Sequence, residues 1–167
     1  MPGAQYWIDQ LRLEPHPEGG FFRQTYRAPL VIEQSALPST FRGPRSASTA
    51  IYFLLAGEDF SALHRLAADE VWHFYAGAGL LVHSIDLTGN HNVKKLGRNP
   101  EAGEQLQLVV SAGHWFGSCM EQPDQYALVG CTVAPGFDFA DFEMAECVGL
   151  TAQYPRHRAL IHKLTRE

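Results

Sequence analysis

Between Ser48 and Val133 the chain alternates short β-forming runs with clusters of turn-forming residues, and this punctuation constrains its architecture more than any other feature. The runs are Ser48–Leu55, Phe60–Leu66, Glu70–Tyr75, Leu80–Asp86, Asn92–Leu96, Gln105–Val110, Trp115–Cys119 and Tyr126–Val133. Between them stand Ala56-Gly57-Glu58-Asp59, Ala76-Gly77-Ala78-Gly79, Thr88-Gly89-Asn90 and Gln122-Pro123-Asp124, residue types that tolerate the backbone angles of a chain reversal. With a further run at Phe21–Arg27, about nine or ten strands follow one another without helices between them. That order predicts an all-β antiparallel sandwich, jelly roll or barrel and excludes a parallel α/β sheet.

The ends differ from this middle. Residues 5–12 carry Trp7, Ile8 and Leu11 at helical spacing, and Pro15, Pro17, Gly19 and Gly20 then stop the helix. In Phe21–Arg27, Phe22, Gln24 and Tyr26 share one face and Phe21, Arg23, Thr25 and Arg27 the other. The stretch Leu30–Arg45, rich in Pro, Ser and Gly, reads as a long surface connection expected to border a binding pocket. After Pro155 the apolar stripe Ala159, Leu160, Ile161 and Leu164 predicts a helix. With no internal repeat or linker, residues 1–167 read as a single domain with a barrel core at about 19–143 and a helical tail at about 148–165.

A chain of 167 residues can bury roughly two-thirds of its unfolded surface in one core, so no metal or disulfide is required merely to fold it. Cys119, Cys131 and Cys147 are odd in number and lack C-x-x-C spacing, which points away from a disulfide framework and a thiolate zinc site. Together with the absence of a leader-like or membrane-length apolar segment, this sets the expectation of a cytoplasmic protein. The formal charge of −5, with Lys and Arg dispersed, leaves no footprint for nucleic acid and none for a membrane surface. A small polar or anionic ligand is the expected partner, and an anion would need a local arginine.

The chemistry-bearing segment is Ser61–Gly77. If His64 and Leu66 face inward on one strand, a turn at Ala67–Asp69 returns Glu70, Trp72 and Phe74 inward on the next. His64, Glu70 and Gly77 fall where the first motif of the cupin superfamily has a histidine, a glutamate and a glycine, whereas the motif's second histidine is Leu66. Ser111-Ala112-Gly113-His114-Trp115-Phe116-Gly117-Ser118-Cys119-Met120 resembles the second motif, with Gly113 retained, Phe116 at the histidine and Met120 at the asparagine. Of the four ligands that metal-binding cupins use, only His64 and Glu70 remain, too few for a catalytic ion with open positions. No cofactor is therefore expected. The alternative is a divalent metal ion held by His64, Glu70 and a displaced histidine such as His73, His83 or His114.

The whole pattern is similar to the small single-domain cupins of the DUF985, or cupin_5, family. It is carried by His16-Pro17-Glu18-Gly19-Gly20-Phe21-Phe22-Arg23, Ser61–Arg65, Asp69–Phe74, Gly113–Phe116 and Gly130–Phe139. The resemblance implies a jelly-roll β-barrel with short terminal helices, commonly a homodimer, and relatedness to metal-free sugar-nucleotide epimerases of the dTDP-4-dehydrorhamnose epimerase type. On that basis His64 and Glu70 are the candidate catalytic pair, His64 as proton carrier and Glu70 as the carboxylate that orients it.

Arg23 is the candidate anion clamp, Trp72 and Trp115 the candidate apolar wall, Glu18 a candidate rim carboxylate and Gln107 a candidate polar contact whose strand alternation favours water. Asp138, Asp141 and Glu143 are read as capping the barrel or forming a dimer seam. Three functions follow: a metal-independent isomerase or epimerase of a sugar-like or nucleotide-sugar-like ligand, a non-catalytic binding or sensing module, and a metal-dependent isomerase or dioxygenase.

Overall fold

The computed structural model describes residues 2–166. In chain order, helix α1 (Ala4–Leu11) is followed by β1 (Glu14–Pro15), β2 (Phe21–Arg27), β3 (Val31–Ile32), β4 (Arg45–Ser46), β5 (Thr49–Ala56), β6 (Phe60–Arg65) and β7 (Asp69–Gly77). Then come β8 (Leu80–Ile85), β9 (His91–Leu96), β10 (Glu104–Gln105), β11 (Gln107–Val110), β12 (Trp115–Met120), β13 (Tyr126–Ala134), β14 (Glu143–Met144) and helices α2 (Cys147–Gln153) and α3 (Arg158–Lys163). The strands form two six-stranded sheets, ordered β1-β2-β5-β13-β7-β11 and β10-β9-β8-β12-β6-β14, plus the β3–β4 pair. This is the mostly β jelly roll with short terminal helices that the punctuation predicts. Among the described residues no helix is long and apolar enough to cross a membrane.

Period-two alternation decides what each sheet buries. Phe53 and Leu55 of β5, Trp72 of β7, Leu108 and Val110 of β11, Phe116 of β12 and Val129 of β13 meet between the sheets and fill one end of the barrel. The outer faces are covered as well. Helix α1 lays Trp7, Ile8 and Leu11 over Leu54 and Leu128, while Ile161 and Leu164 close over Leu63, Ile85 and Trp115. Strand β12 is consequently buried at all six positions, the pattern of a strand covered on both faces.

Two expectations change. Strand β2 carries a bulge: Gln24 pairs with Ile51 but Tyr26 with Ala50, so Thr25 is an extra residue. The bulge reverses side-chain parity beyond it. Tyr26 is turned to solvent and Arg27 joins Phe22 and Gln24 on the inner face. The connection 30–45 contributes no side chain to the inner cavity. Its buried Arg45 instead grips Asp141 with two bonds of 2.6 Å, anchoring the segment that caps the barrel.

Because Ile161 is wholly buried between α3 and the second sheet, Ile161→Ala is expected to lower stability by about 2–5 kcal/mol in denaturant unfolding.

Candidate functional site

The unfilled end of the barrel holds a cavity of about 200 Å³ lined by His16, Glu18, Phe22, Gln24, Arg27, Thr49, Ile51, His64, Leu66, Glu70, Cys131, Val133, Phe137, Asp138 and Phe139. His64 comes from β6 of one sheet and Glu70 from β7 of the other, so the two project from facing walls. Glu18 enters from the loop between β1 and β2. That loop turns through Gly19 at φ 113° and Gly20 at φ 70°, left-handed angles that glycine adopts without the Cβ penalty. The third wall is the cap, where Phe137 N–H donates to Thr49 Oγ1 (2.8 Å) and Ala140 N–H to the Asp138 side chain (2.8 Å).

The hydrogen bonds determine where His64 carries its proton. Nδ1 lies 2.7 Å from the Ala62 carbonyl oxygen, which can only accept, so the Nδ1 proton is fixed there. Nε2 lies 3.1 Å from Glu18 Oε2. Glu18 Oε1 accepts from Ser61 Oγ at 3.0 Å, and Oε2 has His16 Nδ1 at 3.6 Å as its second neighbour. Since Glu18 N–H donates to that same Nδ1 at 3.2 Å, His16 carries its proton on Nε2. His64 Nε2 and Glu18 Oε2 therefore face each other with room for one proton between them.

Burial dominates the electrostatics. It holds the His64 pKa below its ordinary value, against the Ala62 carbonyl and Glu70, and lowers that of His16 against Glu18. It pushes Glu18 up to about 7, against the pull of His16, Ser61 and Arg166. Glu70 also rises to about 7, through burial opposed by His64, reinforced by Glu18 and opposed again by the Trp72 indole N–H and the Cys131 thiol. Among the described residues Glu70 Oε2 is buried without a hydrogen-bond partner. The site thus presents one engaged pair, Glu18–His64, and a second buried carboxyl, Glu70, beside Trp72 and Cys131.

The site differs from the sequence reading in named places. His64 and Glu70 share the cavity, but the carboxyl hydrogen-bonded to His64 is Glu18, which is 7% exposed and therefore a wall residue rather than a rim one. Arg23 is outside: it shares β2 with Phe22 at opposite parity and donates to the Leu11 carbonyl. Trp72 points inward but lies beneath the cavity floor, against Phe53 and Phe116. Trp115 faces the other way, under Arg65 and the carboxy-terminal helices. Gln107 is on the outer face, 2.8 Å from His73 Nδ1.

His16, Gln24, Arg27, Thr49, Cys131 and the cap phenylalanines went unassigned in the sequence. Gln24, Thr49 and Cys131 follow the inward alternation of Phe22, Phe53 and Val129 and could have been read from it, whereas a loop fold brings in His16, a bulge Arg27 and a chain reversal the phenylalanines, none of which has a periodic signature. Asp141 and Glu143 serve the cap through Arg45 and Arg65.

A metal ion does not fit these residues. Leu66 lines the cavity where a second histidine would stand, and Phe116 is paired across the ladder with His64, their ring centroids 4.1 Å apart. The displaced histidines are elsewhere: His73 bonds Thr132 on the outer face, and His83 bonds His91 and Cys119 beneath the carboxy-terminal helices. His114 stands outside the cavity lining. Among the described residues no three His, Cys, Asp or Glu side chains converge as metal ligands would.

A two-sheet jelly roll with His64, Glu70 and Gly77 at the first-motif positions defines a cupin. The family described as cupin superfamily (DUF985), Cupin_5, matches residues 5–145, and the chain belongs to it. It is 30% identical over 146 residues to the uncharacterized protein YML079W of Saccharomyces cerevisiae, a match spanning 82% of this chain and 72% of the yeast protein.

The crystal structure of protein SO0799 from Shewanella oneidensis superposes with a TM-score of 0.90 at 42% identity, covering 99% of both chains. A hypothetical protein from Leishmania major gives 0.89 at 36% identity, covering 99% of this chain and 100% of that one. Oxalate decarboxylase from Bacillus subtilis shares the fold alone, at 13% identity and a TM-score of 0.54 over 90% of this chain and 36% of its own.

Glu70 has a higher pKa folded than unfolded, about 7 against 4.5. Its neutral form favours the folded state fully below the unfolded value, and that contribution, on the order of 3 kcal/mol, is lost as pH rises through 7. Glu70→Gln keeps the group neutral throughout. The stability of the variant relative to the natural protein is therefore expected to grow between about pH 5 and about pH 8, as read by urea unfolding at each pH; a pH-independent difference would contradict the raised pKa of the buried carboxyl.

Proposed function

We propose that this cupin is a metal-independent isomerase or epimerase that moves a proton on the carbon next to a carbonyl of a small, sugar-like ligand. The observation that carries the reading is the Glu70 carboxyl, buried in the wall of the cavity that also holds the hydrogen-bonded Glu18–His64 pair. A general base works best with a pKa near the operating pH, which burial supplies at Glu70. In the proposed step Glu70 carboxylate takes the α-proton, the C–H electron pair forms the enolate C=C bond, and the carbonyl oxygen receives the proton held between Glu18 and His64. Glu70 then delivers its proton to the former carbonyl carbon while the hydroxyl on the first carbon returns one to the Glu18–His64 pair, which gives the isomer. Protonation of the first carbon on its opposite face by water, with the enol hydroxyl returning its proton to the pair and Glu70 its own to the solvent, gives the epimer. Both proceed with no net oxidation.

The cavity supports a limit on ligand size. At about 200 Å³ it exceeds the ~150 Å³ that accommodates a benzene ring by little, which suits a single sugar ring or a short polyol and leaves the rest of a nucleotide sugar outside. Arg27 supplies the anion contact first sought at Arg23. Its guanidinium bonds are long, 3.4 Å to Gln24, 3.5 Å to Ser46 and 3.3 Å to the Phe137 carbonyl, so an anionic group on the ligand can displace them. The resemblance to metal-free sugar-nucleotide epimerases agrees with this chemistry. A homodimer and a cytoplasmic location remain part of the proposal.

The test is deuterium wash-in. Aldoses, ketoses and their phosphates are incubated with the protein in D₂O and followed by proton NMR. Exchange at one α-carbon is expected, slowed about 10²–10⁴-fold by Glu70→Gln or His64→Ala. A sugar that binds without exchange would make the protein a binding module, and undiminished exchange in both variants would remove the assignment.

A further inference from the structure

The loop that carries Glu18 is tied down on one side of Gly19 by a guanidinium from the other end of the chain and on the other side by the carboxylate that this guanidinium grips. Arg166 Nε donates to the Glu18 carbonyl at 3.2 Å, and Nη2 donates to Asp59 Oδ1 at 2.6 Å and to the Phe60 carbonyl at 2.7 Å. The second oxygen of Asp59 accepts from Gly20 N–H at 2.8 Å. The guanidinium also lies over the Phe60 ring, 4.3 Å from its centroid.

A Cβ on Gly19 would collide with Arg166 Nη2 and with the Phe60 carbonyl, so this glycine leaves the space that the guanidinium occupies. The arm is itself registered to β6. Leu63 N–H donates to the Leu164 carbonyl at 2.7 Å, one residue from His64, and the Leu164 side chain is wholly buried. The strand that presents His64 thus also carries the arm that reaches round to Glu18.

We infer that Arg166 is a positioning residue, a strut from the carboxy-terminal arm that holds the Glu18 carboxyl against His64 Nε2. The inference rests on the reading of Glu18–His64 as the working proton pair. Arginine suits the task because its rigid fork serves three acceptors at once, whereas a lysine ammonium is a point charge on a flexible stem. Mere surface stabilisation is the competing explanation. The Arg166 and Asp59 side chains are 40% and 39% exposed, and an ion pair that open adds little to stability, so the two explanations separate experimentally.

The experiment follows the titration of the Glu18 side-chain carbon by ¹³C NMR and of the His64 ring nitrogens by ¹⁵N NMR. The natural protein, Arg166→Ala, Arg166→Lys and Glu18→Gln are compared, with thermal melting of each. In the natural protein both nuclei are expected to report one common midpoint, since a proton shared by two sites titrates as a property of the pair. In both Arg166 variants the midpoints should separate, Glu18 moving to higher pH, while the melting temperature stays nearly unchanged.

Lysine keeps the charge and loses the fork. A common midpoint retained in Arg166→Lys would therefore overturn the positioning role and leave only through-space charge. A fall in melting temperature without separation of the midpoints would likewise overturn it, in favour of a structural role. If Glu18→Gln leaves the His64 titration where the natural protein has it, the pair itself fails and the proposed function falls with it.

Discussion

The hydrogen bond from His64 Nδ1 to the carbonyl two residues back on its own strand is the constraint from which the site follows. It uses up one ring nitrogen, aims the other into the barrel and leaves that nitrogen needing a proton partner. Glu18 Oε2, at 3.1 Å, is that partner, and its own position depends on the two glycines that let the β1–β2 loop fold inward. A buried carboxyl and a buried imidazole each resist charge, and one proton between them satisfies both. Glu70 lacks such an arrangement, and among the described residues its Oε2 is the carboxyl oxygen in the cavity wall that is buried without a partner. Buried polar atoms left in that condition are few in folded proteins, and here the indole Nε1 of Trp72, whose pull on Glu70 opposes the rise of its pKa, shares it.

Two positions at which the cupin motifs carry metal-binding histidines hold hydrocarbon side chains in this chain. Leu66 and Phe116 occupy two of the ligand positions, and Phe116 joins the solid core with Trp72 and Phe53. Phe116, Trp72 and Phe53 fill the other end, and the cavity lies at the end closed by Phe137, Phe139 and the Arg45–Asp141 bond. Arg45 is 5% exposed, and a charge buried so deeply is retained with its partner because either alone would be costly. The cap is therefore held by a contact as demanding as any in the site.

Alternation made most of the barrel legible. Seven of the eight runs from Ser48 to Val133 emerge as strands within a residue or two of their sequence bounds, while Gln105–Val110 breaks at Leu106 into β10 and β11 of different sheets; the inward facing of His64, Leu66 and Glu70 follows from parity carried across one short turn. Parity also explains what was misread. Arg23 is inward only if Phe22 is outward, and the bulge at Thr25 moves the inward arginine to position 27. Trp115 and Phe116 are adjacent, so one of them had to face away from the barrel. Glu18 stands outside any periodic element, and nothing in Pro-Glu-Gly-Gly distinguishes a loop that dips inward from one that stays in water. The partners that settle the matter, Ser61, Asp59 and Arg166, are distant in sequence.

The central claim is tested most directly by the tautomer of His64. In protein labelled with ¹⁵N-histidine, two-bond ¹H–¹⁵N correlation spectra at neutral pH distinguish a protonated ring nitrogen from a bare one. His64 is expected to be neutral with its proton on Nδ1 and Nε2 in the shift range of an acceptor. A bare Nδ1 with the proton on Nε2, or an imidazole titrating like a free histidine near its ordinary pKa of about 6.5, would contradict the Glu18–His64 pair and with it the site built upon it.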